Sequence, residues 1–462
     1  MRKSFVVVFV FACLLSGAQE STDLSLEQAI RYAQENSPTL KNAQLDVEIA
    51  KKKIMETTAI GLPQINGSVE YQNFLDIPTT LLPDFISPAV YGVLLQEGLI
   101  TPAQLPSSDE AQFFPAKFGT QHNAAYGVTL SQLIFSGQYI VGLQASRVFG
   151  NMSELGLQKS ATDIKYSVTE TYCLILSLQE NAIILDSNLV HFQKLLRESE
   201  AMFDQGFIEE TNVDQLKLNV SNIDNAVNSL KRQIEAAQML LKYQIGMEVT
   251  LPVRLTDDLE KILNGTSTEV LSGSAFNPSA VIDFQLMETQ VRLQELSLKR
   301  EKSAYLPTMA GYFSYSRKAM RDEFNFFDSE QSWYPTTLVG IKLEVPIWSS
   351  GTRHTKIQQA QLNLQKSITS RDMVGQALLL QYEQARIGYL SALDKYQHEK
   401  ENVAIAEKIL NKTMIKFREG LSSSMELTQA QMQHQSAQGN YFAAVFELVS
   451  SRNKMQKLFE NK

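Results

Sequence analysis

The stretch Val339-Gly340-Ile341-Lys342-Leu343-Glu344-Val345-Pro346-Ile347-Trp348-Ser349-Ser350-Gly351 passes from one structural pattern to another. Up to Ile347, apolar side chains alternate with Gly340, Lys342, Glu344 and Pro346, the period of two of a strand with one apolar and one polar face. After Gly351 the pattern is helical and runs without a proline to Phe417-Arg418-Glu419-Gly420. Before it, Tyr305-Leu306-Pro307 closes another helical pattern, and Met309, Phe313 and Tyr315 point opposite to Thr308, Ser314 and Ser316. The same order stands earlier in the chain: Gly61-Leu62-Pro63, strands, Phe135-Ser136-Gly137, a long helical pattern, then Phe203-Asp204-Gln205-Gly206. From Gly127 onward the halves align at an offset of 213 or 214 residues, so the chain is an internal repeat.

The helical segments carry coiled-coil seams. Val213, Leu216, Val220, Ile223, Val227, Leu230, Ile234, Ala237 and Leu241 are spaced 3, 4, 3, 4. Leu427, Ala430, His434, Ala437, Tyr441, Ala444 and Leu448 repeat the seam, as do Leu40, Ala43, Val47, Ala50 and Ile54. The stretches from Gly137 to Phe203 and from Gly351 to Phe417, if continuous, each span about 100 Å, a rod or tube and not a compact globule. The first hairpin adds Ile65, Val69 and Tyr71 alternating with Asn66, Ser68, Glu70 and Gln72, and Tyr126, Val128 and Leu130 alternating with Ala125, Gly127, Thr129 and Ser131. Four such strands in two separated hairpins have no second sheet to cover their apolar face, so that face is assigned to lipid and the polar face to water. Four strands cannot close a pore. Three copies would supply 12, with a bundle of long helices below.

The expected division is a signal peptide over 1–18 and a first repeat over 19–246 with its hairpin at 64–136. An irregular link over 247–276 and a second repeat over 277–462 with its hairpin at 307–348 follow. Arg2 and Lys3, the apolar run Ser4 to Leu15, and Ser16-Gly17-Ala18 read as a secretory leader, with Gln19 the mature N-terminus. A lipoprotein leader acylated at Cys13 is the alternative, which Phe11 fits poorly. No segment has 18 consecutive apolar residues, which says nothing against barrel strands. Of the 42 basic residues, 40 remain after Arg2 and Lys3 leave, against 50 acidic, which argues against a nucleic-acid partner. Without Cys13, Cys173 has no disulfide partner in the chain and reads as a buried small hydrophobe. The stretch from Phe74 to His122 holds six prolines and reads as a long loop outside the cell; Met247 to Phe276 reads as irregular.

The opening Leu24-Ser25-Leu26-Glu27-Gln28-Ala29-Ile30 with Asn36-Ser37-Pro38, the duplicated helix–hairpin–helix order and the two Phe-x-x-Gly turns resemble the TolC-like outer-membrane efflux proteins over nearly all of the mature length. The resemblance implies a mainly α fold with a membrane β-barrel part: long coiled-coil hairpins plus four strands per chain, a homotrimer with one 12-stranded barrel, and a periplasmic helical tunnel. It implies a passive exit duct in the outer membrane, serving a tripartite efflux or type I secretion system that exports small molecules or proteins. Its partners would be a periplasmic adaptor and an inner-membrane pump. No cofactor is implied. Phe203, Gly206, Asn212, Phe417 and Gly420 would lie at the adaptor-facing tips. At the periplasmic constriction, Phe417 takes the place of the family's gating tyrosine, Ser422 that of its arginine, and Glu426 and Gln429 those of two ringed aspartates. Asn212 stands for a further aspartate, so the family's salt-bridged latch cannot form here as such.

Other readings stand beside these. Glu426 can form an anionic ring on a trimer axis, or serve as a first-turn acid behind Ser422, Ser423 and Ser424, or do both. Gly206 and Gly420 form turns and leave bare backbone for a partner. Lys342 and Glu344 face the barrel lumen, or form a lateral pair with no transport role. The five histidines have no metal-ligand spacing, and no nucleophile, phosphate-loop or paired-acid motif is present. A structural envelope-spanning coiled-coil protein anchored by its strands is the alternative function; it needs neither a polar lumen face nor glycine tips.

Overall fold

The computed structural model describes residues 22–84, 86–105, 113–264 and 276–459. The leader expected over 1–18, with Cys13, lies outside them, as do Gly265 and Gly273 of the inter-repeat link. In chain order the elements begin with β1 (Thr22–Leu24), α1 (Leu26–Asn36), α2 (Pro38–Ala59), β2 (Gln64–Asn73), β3 (Thr79–Pro83), α3 (Ile86–Gln96), β4 (Phe113–Lys117) and β5 (His122–Ser136). They continue with α4 (Gly137–Asp204), α5 (Glu210–Ile245), β6 (Val253–Leu255), α6 (Leu259–Asn264), α7 (Ile282–Ser303), β7 (Thr308–Arg321), β8 (Tyr334–Glu344), α8 (Thr352–Arg418) and α9 (Ser424–Lys457). The chain divides into a helical unit (Met1–Lys53, Ala145–Leu296, Gln359–Lys462) and a strand-bearing unit (Ile54–Gln144, Ser297–Gln358).

In the strand-bearing unit the two hairpins join. The sheet order is β2-β5-β7-β8, all antiparallel, with β5 pairing β7. The register aligns Ile65, Leu130, Phe313 and Val339 in one row and Asn66, Thr129, Ser314 and Leu338 in the next. The period-two pattern of each strand therefore sums to one apolar and one mainly polar face. On the polar face the Thr129 and Ser314 hydroxyls are 3.2 Å apart. The apolar face is bare: Val69 is 88% exposed and Val339 74%. Both edges of the sheet, β2 and β8, are unpaired. Val345 and Ile347 continue the alternation in sequence, but Pro346 cannot donate to a ladder and β8 ends at Glu344.

In the helical unit α4 and α8 are single helices of 68 and 67 residues. Leu216, Ile223, Val227 and Leu230 of α5 are buried against Leu185, Leu189, Phe192 and Leu195 of α4 and Leu427 and Ala430 of α9. Each fully buried Leu or Ile here contributes about 1.5–3 kcal/mol. A second apolar cluster joins Ala29 and Ala33 of α1, Val168, Tyr172 and Ile175 of α4, Leu241 and Ile245 of α5, and Val445 and Val449 of α9. Along α9, buried Gln431, His434 and Gln438 interrupt the apolar seam, and several of their polar atoms have no protein partner. A window of α4 is apolar enough to cross a membrane by composition, but one third of it is buried in the chain and α4 belongs to both clusters.

Two expectations are corrected. The link over 247–276 is not wholly irregular: β6 pairs in parallel with β1, and α6 follows. The Tyr172 hydroxyl donates to the Leu24 carbonyl at 2.8 Å, and the Asp257 carboxylate accepts from the Leu26 N–H at 2.6 Å. These contacts between residues far apart in sequence hold the pair. Nor is the stretch from Phe74 to His122 a plain loop. It contains α3 and the ribbon β3–β4, in which Pro83 and Pro115 are tolerated because a two-stranded ribbon leaves half of its N–H groups unpaired.

Candidate functional site

The helices α4 and α8 both end in the same turn, and their sequence dictates it. The Gly206 N–H donates to Phe203 O at 2.8 Å and the Phe207 N–H to Met202 O at 2.9 Å. Gly420 and Leu421 repeat the pattern onto Phe417 O and Lys416 O at 3.0 and 2.8 Å. This is the Schellman arrangement, which closes a helix through a left-handed residue. Gly206 has φ of 75° and Gly420 of 71°, and nothing lies within 4 Å of where a Cβ would sit at either. Glycine is thus required by the backbone angle and not by crowding. The residue after each glycine protrudes: Phe207 is 80% exposed and Leu421 77%. Phe203 is partly exposed, whereas Phe417 packs on the cluster containing Leu410 and Leu427.

Past the second turn, Ser423 caps α9 through a capping box. The Glu426 N–H donates to Ser423 Oγ at 3.2 Å, and Glu426 Oε2 accepts from the Ser423 N–H at 3.4 Å. Ser422 Oγ also donates to Glu426 Oε2. That hydroxyl, then the Ser423 N–H, holds the Glu426 carboxyl below its usual range. The first-turn role of Glu426 is therefore present. Glu426 and Gln429 are both exposed, Glu426 at the border of the buried stripe that holds Leu427 and Ala430.

Four contacts tie the first-repeat tip to the second. Ser424 Oγ, almost fully buried, lies 2.6 Å from Asn212 Oδ1 and also contacts Gln215 Oε1. One hydroxyl has one proton, so it donates to one of these amides and accepts from the other once that amide is turned. Asn219 Nδ2 donates to Thr428 Oγ1 at 2.8 Å. Arg418 Nε lies 3.3 Å from Glu198 Oε2 in a half-exposed ion pair. Between the tips is a groove of about 810 Å³ lined by Met202, Phe207, Phe417 and Leu421 together with Glu198, Glu209, Glu419 and Glu426. Ser424, Phe207 and Leu421 were not singled out in the sequence. The signal for the last two is the apolar residue that follows the glycine of a Schellman turn.

In the strand-bearing unit, Lys342 Nζ and Glu344 Oε2 are 3.6 Å apart on the polar face of β8, each 72% exposed. Such a pair contributes little to stability. Elsewhere, Cys173 is buried and its thiol is pushed up to about 11 by desolvation, which keeps it protonated and unreactive at neutral pH. Among the described residues no group of three or more His, Cys, Asp or Glu is placed to hold a metal.

Residues 282–459 match the model of the outer membrane efflux protein family. No curated protein matches the chain by sequence. Among solved structures, the CmeC outer membrane channel of Campylobacter jejuni is similar at a TM-score of 0.68 and 16% identity, over 94% of this chain and 85% of that one. The outer membrane protein VceC of Vibrio cholerae is similar at a TM-score of 0.68 and 13% identity, over 94% and 95%. The MtrE outer membrane channel of Neisseria gonorrhoeae, in its open state, is similar at 0.65 and 15%, over 94% and 88%. At such identities these structures speak for the fold, and the family match speaks for residues 282–459. Residues 282–459 are thus similar to the outer membrane efflux protein family, and the chain has the fold of these outer membrane channels.

Proposed function

We propose that the chain is a passive outer-membrane exit duct of a tripartite efflux or type I secretion system and acts as a homotrimer. The observation that carries this reading is the four-stranded sheet, with one bare apolar face and two unpaired edges. An open edge of ten or more residues recruits another strand. Pairing β8 of one copy with β2 of the next removes every edge, and three copies close 12 strands with the apolar face toward lipid. The helical unit supports the same assembly. On α8, Met373, Leu380 and Ile387 recur every seven residues and remain 60–67% exposed, an apolar seam for a neighbouring copy. The helices then form a tunnel in the periplasm.

In that assembly the two repeats, 19–246 and 277–462, each supply a helix, a hairpin and a long helical hairpin, joined by 247–276. The tips bearing Phe203, Gly206, Phe417 and Gly420 receive a periplasmic adaptor that links the duct to an inner-membrane pump. The entrance narrows where Phe417, Ser422, Glu426 and Gln429 of three copies approach one axis. The neutral contacts of Ser424 with Asn212 and Gln215 replace the family's charged latch. The barrel carries substrate without reacting with it. Its polar face holds Glu70 and Glu344 against Lys318 and Lys342, so it favours neither charge.

The test is the mass of the detergent-solubilised protein, followed by planar-bilayer recording. Three chains per particle with a defined conductance are expected. A monodisperse monomer that is soluble without detergent overturns the proposal.

A further inference from the structure

The end of the sheet at Asn73, His122, Arg321 and Tyr334 carries two loops, and they lie on opposite faces. The β7–β8 loop packs on the last residues of the otherwise bare apolar face. Phe324 stands edge-on to Tyr71 with centroids 5.5 Å apart, and Trp333 meets Tyr126 at 4.9 Å. Aromatic residues at the end of an apolar strand face mark the level of the membrane surface. The insert between β2 and β5 goes the other way. Its base residues Phe74, Ile77, Pro78 and Phe118 form a pocket of about 370 Å³ with Glu70, Gln72, Asn123, Lys318 and Met320. By register these five strand residues belong to the polar face.

The insert is also unusually apolar for a segment in water. Its helix α3, Ile86 to Gln96, contains no charged residue and no buried one. Val90 and Val93 are about half exposed, and Leu81, Leu99, Phe113 and Phe118 are 59–70% exposed. A helix that is apolar all round needs cover. At 11 residues, about 16 Å, it is too short to cross a bilayer. Nor does an anionic membrane surface suit it. From Phe74 to Gln121 the sequence has Asp76, Asp84, Glu97, Asp109 and Glu110 against Lys117 alone. The polar-face placement points instead to the axis of the barrel, where further copies of the same insert converge.

We propose that α3 and the β3–β4 ribbon fold over the mouth of the barrel, and that three copies pack α3 on α3 into an apolar constriction at the extracellular exit. The occupant of the exposed face of α3 is thus the same helix of the neighbouring copies. This rests on the trimeric barrel argued above. The exit then has its own restriction, separate from the one at the periplasmic tips, and large solutes from outside meet it first.

The experiment uses the full chain with Cys173→Ser, expressed in cells. Val90→Cys should give inter-chain disulfides on mild oxidation, whereas Phe327→Cys, 93% exposed on the other loop, should give none. Ser316→Cys places a thiol on the polar face of β7. A bulky impermeant maleimide–polyethylene glycol added to whole cells should label it several-fold faster when 76–117 is replaced by a short turn. The same gain is expected when Val90→Asp and Val93→Asp put like charges on α3. A small maleimide should label all forms equally. An intact trimer with no Val90 cross-link and no change in labelling overturns the constriction while leaving the channel reading standing. A wild-type protein that is not a trimer overturns both.

Discussion

Ser424→Ala tests whether opening parts the two tips. Ser424 sits one residue past the cap, so its loss leaves the Ser423–Glu426 box and the start of α9 intact. What it removes is the hydroxyl between Asn212 and Gln215. A buried hydrogen bond of this kind is worth about 1 kcal/mol net, and an amide oxygen left without a partner raises the loss to roughly 1–2 kcal/mol. If the contact exists only in the closed entrance, the closed state loses that amount in each chain. A difference of about 1.4 kcal/mol is tenfold in an equilibrium. The open fraction should therefore rise about tenfold per chain, and by more if three chains open together. Single-channel recording at low voltage reads the open fraction directly, and uptake of a large antibiotic into cells reads it indirectly. Asn212→Ala should act in the same direction, and the double variant should add much less than the sum. An unchanged open fraction in Ser424→Ala, with trimer intact, would refute the view that this contact holds the tips together.

Other substitutions have distinct signatures. Glu426→Gln should weaken cation preference by about tenfold, the order expected for three screened carboxylates near one axis, and should abolish block by divalent cations; unchanged reversal potentials would place the constriction elsewhere. Ser422→Ala removes the largest cause that holds the Glu426 carboxyl below its usual range, so cation preference should disappear at a higher pH than in wild type, as read from a pH series of reversal potentials. Phe417→Ala should loosen apolar packing at the tip and raise leakage of large antibiotics; equal drug sensitivity would count against its gating role. Burial lowers the His434 value from its usual 6.5, only partly offset by Glu407. The folded state then binds fewer protons than the unfolded, so stability should fall as pH drops through and below 6.5. His434→Leu should flatten that acid limb in thermal melts monitored by circular dichroism, and an unaltered limb would disprove it.

The parts of the fold that repeat were legible because one physical rule acts over many residues. The seam from Val213 to Leu241 is spaced for one face of a helix, and most of those residues are buried. The alternation around Ile65, Leu130, Phe313 and Val339 is strong enough in each strand that the register brings all four into one row. What escaped is short and depends on distant partners. β1 has three residues, and its pairing with β6 depends on a segment some 230 residues away. α3 has neither a heptad nor a polar face, and Pro88 with the other prolines of the insert reads as loop. Ser424 reads locally as one more serine before a helix; only the position of Asn212, on another hairpin, makes it a contact.

Charge separates the two ends of the proposed duct. On the polar face of the sheet Lys342 and Glu344 cancel within one strand, and Lys318 offsets Glu70 in the same cross-strand row. At the first tip Lys194 and Arg197 stand against Glu198, Glu200, Asp204, Glu209 and Glu210, and Lys194 lies 3.9 Å from Glu198. Arg418 of the second tip neutralises only Glu198 among these in a direct pair. In the proposed duct, selection by charge would then belong to the periplasmic entrance, where carboxylates of three copies approach one another. The barrel supplies a wet, near-neutral wall, and substitution of Lys342 should change conductance far less than substitution of Glu426. In the proposed duct, acidic discrimination would stand where cargo enters, and the uncovered apolar insert where cargo leaves.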